Sequence, residues 1–313
     1  MKKVICSLLL CLLVFGCSGK KMDEMQWNFL RTNITDDILG ISFADKNHGW
    51  AVTDNGSLMS TTDGGDTWSI NKVCDKSLTT VFAVDKKTVW AAGVEGALYA
   101  LMEGSSSMRD RSMEDDVDFL EIAFWDEEKG ILIGNRLDRD SNVIGAVYRT
   151  SDGGASWGEI YVAMDSITAL AVRGEGLGWI ASTGHIWTSK DYGANWEDNY
   201  LGSDITINDM FYDMFSAGFL VGDSGTYYTS FDGGWSWDNR GGQFPKNKLY
   251  AIAMIDRFGG VIVGKDGLIM ITTDGGNSWG SNQGLTNVDL YDIAVVKKNL
   301  WICGGNGIII SIH

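Results

Sequence analysis

The sequence is short of the residues that most restrict or crosslink a chain. Among 313 residues it has one proline (Pro245), three histidines (His48, His185 and His313) and five cysteines. Three histidines leave little material for a His-centred metal site or a Ser-His-Asp constellation. Cations are scarce too: 25 Lys+Arg against 41 Asp+Glu give a formal charge of −16. Nucleic-acid affinity comes largely from Lys and Arg neutralising phosphates, so no nucleic-acid partner is expected. Unassisted binding to an anionic membrane surface is disfavoured for the same reason. A hydrophobic content of 44% is ordinary for a globular chain and too high for a disordered one. The one marked apolar run, residues 4–15, is too short for a normal spanning helix.

That run has a specific setting. Lys2 and Lys3 precede it, and Val14-Phe15-Gly16-Cys17 follows, with a small residue directly before a cysteine. The segment resembles a bacterial lipoprotein signal. The resemblance implies a signal peptide over 1–16, acylation of Cys17, and a lipidated tether over 17–25 that makes the membrane a partner. Ser18, in place of Asp, points by the same resemblance to the outer membrane. Losing Lys2 and Lys3, with no acid lost, takes the charge from −16 to −18. Cys6 and Cys11 leave with the signal, so Cys74 and Cys303 remain. Two cysteines make neither a disulfide framework nor a metal site. Buried thiols are expected, with the question of their pairing open in a compartment that permits disulfides.

Repetition dominates the rest. Thr61-Thr62-Asp63-Gly64-Gly65-Asp66-Thr67-Trp68 recurs in register as Thr150 to Trp157, Ser189 to Trp196, Ser230 to Trp237 and Thr272 to Trp279. The Asp-to-Asp steps are 89, 39, 41 and 42, so one copy has decayed in the first interval. Asn195 is the only lapse at the Ser/Thr position. Asp accepts backbone N–H bonds, Gly supplies positive φ, and the hydroxyl and Trp brace the turn, which together describe a hairpin connection. A second element recurs seven times, ahead of each of the five boxes and twice more, around Trp50, Trp90, Ile131, Trp179, Phe219, Val261 and Trp301. Each of these follows a short apolar strand, giving seven units of four strands, here named a to d, with the box between c and d.

The boxes at Asp63/Trp68, Asp152/Trp157, Asp191/Trp196, Asp232/Trp237 and Asp274/Trp279 are similar to those of the BNR, or Asp-box, β-propellers. With the Gly-Trp-Ala-Val segment at Gly49, the repeats look most like the photosystem II assembly/stability factor-like group. The resemblance implies an all-β, seven-bladed propeller of four-stranded blades over 26–313. It also implies structural rather than catalytic box aspartates, and a non-enzymatic protein that binds something. Gly305 to His313 aligns with Asp54 to Thr62, and Gln26 to Arg31 looks like the Trp and strand d that would follow. The N-terminal strand is therefore expected to complete blade 7 and close the ring, leaving no free sheet edge.

The family architecture places d–a linkers and b–c loops on one face and box turns on the other. Two irregular segments are expected on the loop face around blade 3: the linker Glu103 to Asp118, and the long b–c connection Asn135 to Asn142 with Arg136 and Arg139. Loops that exceed a tight norm tend to carry binding function. At the starts of the a strands, Asp37, Asp118, Glu121, Asp209, Asp289 and Asp292 face one Lys, Lys248. This predicts an acidic funnel at the mouth of the central channel, suited to a cation, a basic peptide or a pair of hydrolytic carboxylates. Hydrated charge at strand ends is the plain alternative. Trp125, Trp187 and Trp235 lie off the repeat pattern, as sugar platforms or as packing.

Sialidase chemistry lacks its signature, because the single proline is at 245 and Arg31 is followed by Thr32 rather than Ile-Pro. The expected function is a lipid-anchored, monomeric envelope protein that binds a protein or glycan on its loop face, without cofactor or metal. A glycoside hydrolase using channel-mouth carboxylates is the alternative.

Overall fold

The computed structural model describes residues 26–312 except 106, 115, 161–164, 203–204, 214–216 and 282–283. The signal peptide, Cys17 and the tether to residue 25 lie outside the described residues. Strands pair into seven four-stranded antiparallel sheets. Six are sequential meanders, and the seventh joins the N-terminal strand Asn28–Leu30 to Ile309–Ile312, Asn299–Gly304 and Leu290–Val296. Asn28 pairs with Ser311 and Leu30 with Ile309, so the N-terminal strand is strand d of blade 7, as the repeat predicts. The innermost strands of successive blades pack on one another around the ring, including blade 7 (Leu290–Val296) on blade 1 (Ile38–Phe43).

Burial follows from this geometry. Strand b of blades 1, 2, 5 and 6 is buried at every position, because each blade packs another blade on both faces. Strand d is largely exposed, as in Ser69–Lys72. The glycine that opens strand b has a packing reason: a Cβ on Gly49 would lie 2.3 Å from the Phe43 ring, and one on Gly130 2.6 Å from Phe124. The aromatic end of strand a occupies that space, so a larger residue would have to displace it.

The five boxes share one bond set. In blade 1, Thr61 Oγ1 donates to Asp63 Oδ1 at 2.7 Å and accepts Gly65 N–H at 2.9 Å. Asp63 also accepts the Thr67 N–H at 2.9 Å and its hydroxyl at 2.6 Å. Asn195 keeps the pattern, since its Nδ2 donates to Asp191 Oδ2 at 2.7 Å where other boxes use a hydroxyl. These bonds hold Asp63, Asp152 and Asp232 down to about 2, with the hydroxyl donors Thr67, Ser156 and Ser236 as the first cause. The box turn also joins neighbouring blades. Trp301 Nε1 of blade 7 donates to Gly64 O of blade 1 at 2.8 Å, and Phe43 stacks on Trp301 at 3.7 Å. Ring closure therefore repeats the contact that Trp179 of blade 4 makes to Gly233 O of blade 5 at 3.2 Å.

Three details differ from the sequence expectations. Residues 102–105 and 107–108 lie in the c–d turn of blade 2, so the first part of the Glu103–Asp118 segment lies on the box face and only the part after Arg109–Asp110 reaches the loop face. The blade 3 connection is a regular hairpin extension, with Gly130–Leu137 paired to Val143–Thr150 and a short turn at 138–142. Cys74 and Cys303 are free thiols, and Cys303 is buried in blade 7 as expected, but Cys74 is only half-buried in the linker after blade 1.

Candidate functional site

Each a strand begins with a register shift, between Ile38 and Gly40, Phe119 and Glu121, Ile207 and Asp209, and Leu290 and Asp292 among others. Strand a pairs on one side only, so its axial edge carries backbone N–H groups without a sheet partner. The bulge turns the next side chain toward the following blade, where it meets that edge. Glu121 Oε2 accepts the Leu170 N–H, Asp209 Oδ2 the Ile252 N–H, and Asp292 Oδ2 the Ile41 N–H, each at 2.8 Å. The position equivalent to the acid in the receiving blade is Ala169, Ala251 or Gly40, small enough to leave the carboxylate room.

These three acids form an inner tier around the axis on blades 3, 5 and 7. Burial pushes Asp209 up to about 8; the Ile252 N–H opposes that shift, and the nearby Asp292 charge adds to it. Glu121 is raised well above the usual range by burial and then by Asp209, and burial also raises Asp292. Near neutral pH Asp209 therefore holds its proton.

Asp37, Asp118 and Asp289 form an outer tier nearer the loop face. They accept the N–H of Asn306, Glu95 and Asp266 at 2.9, 3.0 and 2.8 Å. Each donor is a positive-φ residue in the b–c turn of the preceding blade, so these carboxylates brace left-handed turns. The six acids do ring the strand starts, but as two tiers that bond backbone rather than as one solvent-filled funnel. Among the described residues, no group of three or more His, Cys, Asp or Glu is placed to hold a metal ion.

Arg136 and Arg139 do not join this ring. Arg136 lies in strand b of blade 3 and pairs with Glu159 of the same blade's strand d. Arg139 is exposed at the hairpin turn. Of the off-pattern tryptophans, Trp125 donates to Leu177 O at 2.5 Å and Trp187 to Ser182 Oγ at 3.1 Å, so both are packing residues. Trp235 is exposed on the box face.

Among the grooves formed by the described residues, two have a volume of about 570 Å³. One lies between blades 2 and 3, lined by Arg111, Met113, Tyr148, Trp157 and Glu159. The other runs along the loop face from blade 5 to blade 7 and is lined by Asp223, Lys246, Lys248, Tyr250, Lys265, Asp266 and Asp289. Here Lys248 Nζ lies 3.5 Å from Asp223 and 5.4 Å from the Tyr250 ring centre, and Tyr250 donates to Asp289 at 3.0 Å. Tyr291 packs edge-on against Tyr250 and donates to Asp37 at 3.2 Å, extending the polar track to blade 1. Burial and then Asp37 push Tyr291 up to about 12, so it stays a donor. Lys246 and Lys265 are exposed and make no ion pair among the described residues. The groove thus offers two available ammonium groups, a phenol and turn backbone, which suits an extended peptide with carboxylate groups. Of the groove's residues, sequence reasoning made only Asp289 a binding candidate. Tyr250 and Tyr291 were legible as departures, because the other blades carry Leu39, Thr79, Leu120, Thr168 and Asn208 at that position.

Comparison with known proteins gives a consistent picture. A family profile described as "Photosynthesis system II assembly factor YCF48" matches residues 19–82 and 188–288, more than half of the chain. The photosystem II assembly protein Ycf48 of Thermosynechococcus vestitus is 45% identical over 47 residues, 15% of this chain and 14% of that one. The photosystem II assembly lipoprotein Ycf48 of Prochlorococcus marinus is 36% identical over 78 residues, 22% of this chain and 23% of that one. The alignments thus span less than a quarter of these relatives' length. A solved structure described as "YCF48 bound to D1 peptide" superposes with a TM-score of 0.76 at 20% identity, covering 91% of this chain and 94% of that one. That likeness shows the seven-bladed fold. None of these three is named as a glycoside hydrolase.

Proposed function

The chain belongs to the photosynthesis system II assembly factor YCF48 family, and on that premise we propose that it is a non-enzymatic, lipid-anchored, monomeric propeller whose loop face holds a segment of a protein partner during that partner's assembly. The observation that carries this reading is the loop-face groove of blades 5 to 7, with Lys246 and Lys265 exposed beside Tyr250. A solved relative is described as bound to a peptide, which supports a protein partner over a glycan. A relative named as a lipoprotein supports acylation at Cys17, and Ser18 supports the outer membrane as the membrane that holds it.

The test is affinity capture from detergent-solubilised envelope, with the native chain as one bait and Lys246→Glu/Lys265→Glu as the other. The two lysines are exposed, so both baits should have the same melting temperature. A protein retained by the native bait and lost by the variant is the expected result. Identical captures by the two baits would remove the groove as the binding site.

A further inference from the structure

We propose that the Asp-box face of blades 5 to 7 seats on the lipid bilayer, with Phe231, Trp235 and Phe258 in the interfacial layer. The proposal rests on the lipid anchor argued above and adds which face meets the membrane and through which residues.

The first observation is where the tether ends. Strand d runs from the box face to the loop face, and Asn28 pairs with Ser311 at the box end of blade 7. Further along, Thr32 Oγ1 donates to Gly307 O in the b–c turn on the loop side. The chain therefore leaves Gln26, toward Cys17, on the box face. The nine residues from Cys17 to Gln26 span at most about 30 Å when fully extended. A blade is itself ~17–20 Å deep, so a tether that had to round the rim and present the loop face to lipid would be nearly exhausted. The short path puts the box face against the bilayer.

The second observation comes from the repeat, which supplies its own control. Phe231 corresponds to Thr62, Ser151, Lys190 and Thr273 in the other boxes, and Trp235 to Asp66, Ala155, Ala194 and Asn277. Phe258 sits in an a–b turn where blades 1, 2 and 3 have Asn47, Lys87 and Glu128. The turns close alike in all of them: Asp256 accepts the N–H of Phe258 as Asp45 accepts that of Asn47. The fold therefore does not ask for aromatics at these positions. Nor do they build the core, being 59%, 60% and 49% exposed. Among the described residues, no large hydrophobic side chain is exposed in the box or a–b turns of blades 1 to 3, where charged residues of both signs, Lys46, Asp66, Lys86, Lys87, Glu127 and Glu128 among them, are found instead.

The third observation is charge. Lys190, Arg257, Lys297 and Lys298 are exposed in the box and a–b turns of blades 4, 6 and 7, and Lys190 Nζ lies 4.3 Å from the Trp235 ring centre. A chain of −16 formal charge thus presents exposed aromatics interspersed with Lys and Arg next to its own tether, where the turns of blades 5 to 7 also expose the acids Asp232, Asp256 and Asp274. Interfacial aromatics with flanking Lys and Arg are the chemistry that seats a protein at the headgroup level.

The protein provides its own reporter, because Trp235 is the one exposed tryptophan among the thirteen. The lipidated chain is reconstituted into phosphatidylcholine/phosphatidylglycerol vesicles with and without bromine on the acyl chains near the headgroup, and flotation is read alongside tryptophan emission. The proposal expects flotation, quenching by the brominated lipid, and loss of that quenching in Trp235→Phe. Substituting Phe231→Ser/Phe258→Ser should weaken it. Flotation with equal emission in the two lipids overturns the seated face while leaving the anchor intact. Failure to float overturns the anchor, and the proposal falls with it.

Discussion

Asp209 of blade 5 accepts the backbone N–H of Ile252 in blade 6 at 2.8 Å, from a site where burial pushes its carboxyl up to about 8. The same bond links blade 3 to 4 and blade 7 to 1 through Glu121 and Asp292. An acid read from sequence as a ligand for something outside is thus also a clasp within the ring.

Removing the acceptor tests this clasp. Asp209→Ala leaves the Ile252 N–H without a partner and should cost about 1–3 kcal/mol, read as a lower denaturation midpoint. Asp209→Asn keeps a neutral acceptor and should come within about 1 kcal/mol of the parent at pH 7. An Ala variant as stable as the Asn variant would show that the bond contributes nothing.

Stability should fall as pH rises through the neutral range. Glu121, Asp209 and Asp292 are all raised in the folded state, so their contribution is complete below the ordinary carboxylate value of about 4. The share of Asp209 is lost as pH climbs through about 8, and those of Glu121 and Asp292 are lost as pH climbs through their own raised values. The box acids act in the opposite direction. Asp63, Asp152 and Asp232 are held at about 2, so their contribution is present above about 4 and lost as pH falls toward 2. Melting temperature against pH should peak at mildly acidic pH, and Asp209→Asn should flatten the alkaline limb.

The box turns allow little substitution at their second glycine. Gly154 has φ +82, and a Cβ there would lie 2.1 Å from the Trp90 ring. Gly154→Ala should destabilise by about 2 kcal/mol or more, whereas Gly104→Ala, whose Cβ would meet nothing within 4 Å despite φ +79, should carry only the backbone strain of about 1–2 kcal/mol. Parallel thermal melts of the two variants separate packing from conformation.

The N-terminal strand should be needed for ring integrity. Deleting residues 26–31 removes the pairing of Asn28 with Ser311 and Leu30 with Ile309, together with the Trp27 packing in blade 7. The exposed edge of Ile309–Ile312 should then favour self-association, seen as a larger species in light scattering. An unchanged monomer of unchanged melting temperature would contradict the closure.

The sequence carried the fold because a propeller writes its rules once per blade. Box spacing, the Gly-Trp segment and the box-like Gln26 to Arg31 were enough to count seven blades and close the ring. The roles of the six acids were harder to read. Their alignment at strand starts was visible, but the axial N–H groups they serve belong to the next blade's backbone, and backbone donors leave no mark on a sequence. The pairing of each inner acid with Ala169, Ala251 or Gly40 was the readable trace. Arg136 was misplaced because an extended hairpin and an irregular loop have the same length, and only the pairing of Arg136 with Ile144 separates them. Lys246, Tyr250 and Lys265 were not singled out because their meeting depends on two blades and the linker between them.

The most direct test of the central reading is photo-crosslinking in the envelope, with a benzophenone amino acid at Lys265 on the loop face or at Lys87 in the a–b turn of blade 2. The account predicts a discrete protein adduct from position 265 that the Lys246→Glu substitution reduces, and none from position 87. Adducts from position 87 with none from 265 would contradict the loop face as the place where a partner is held.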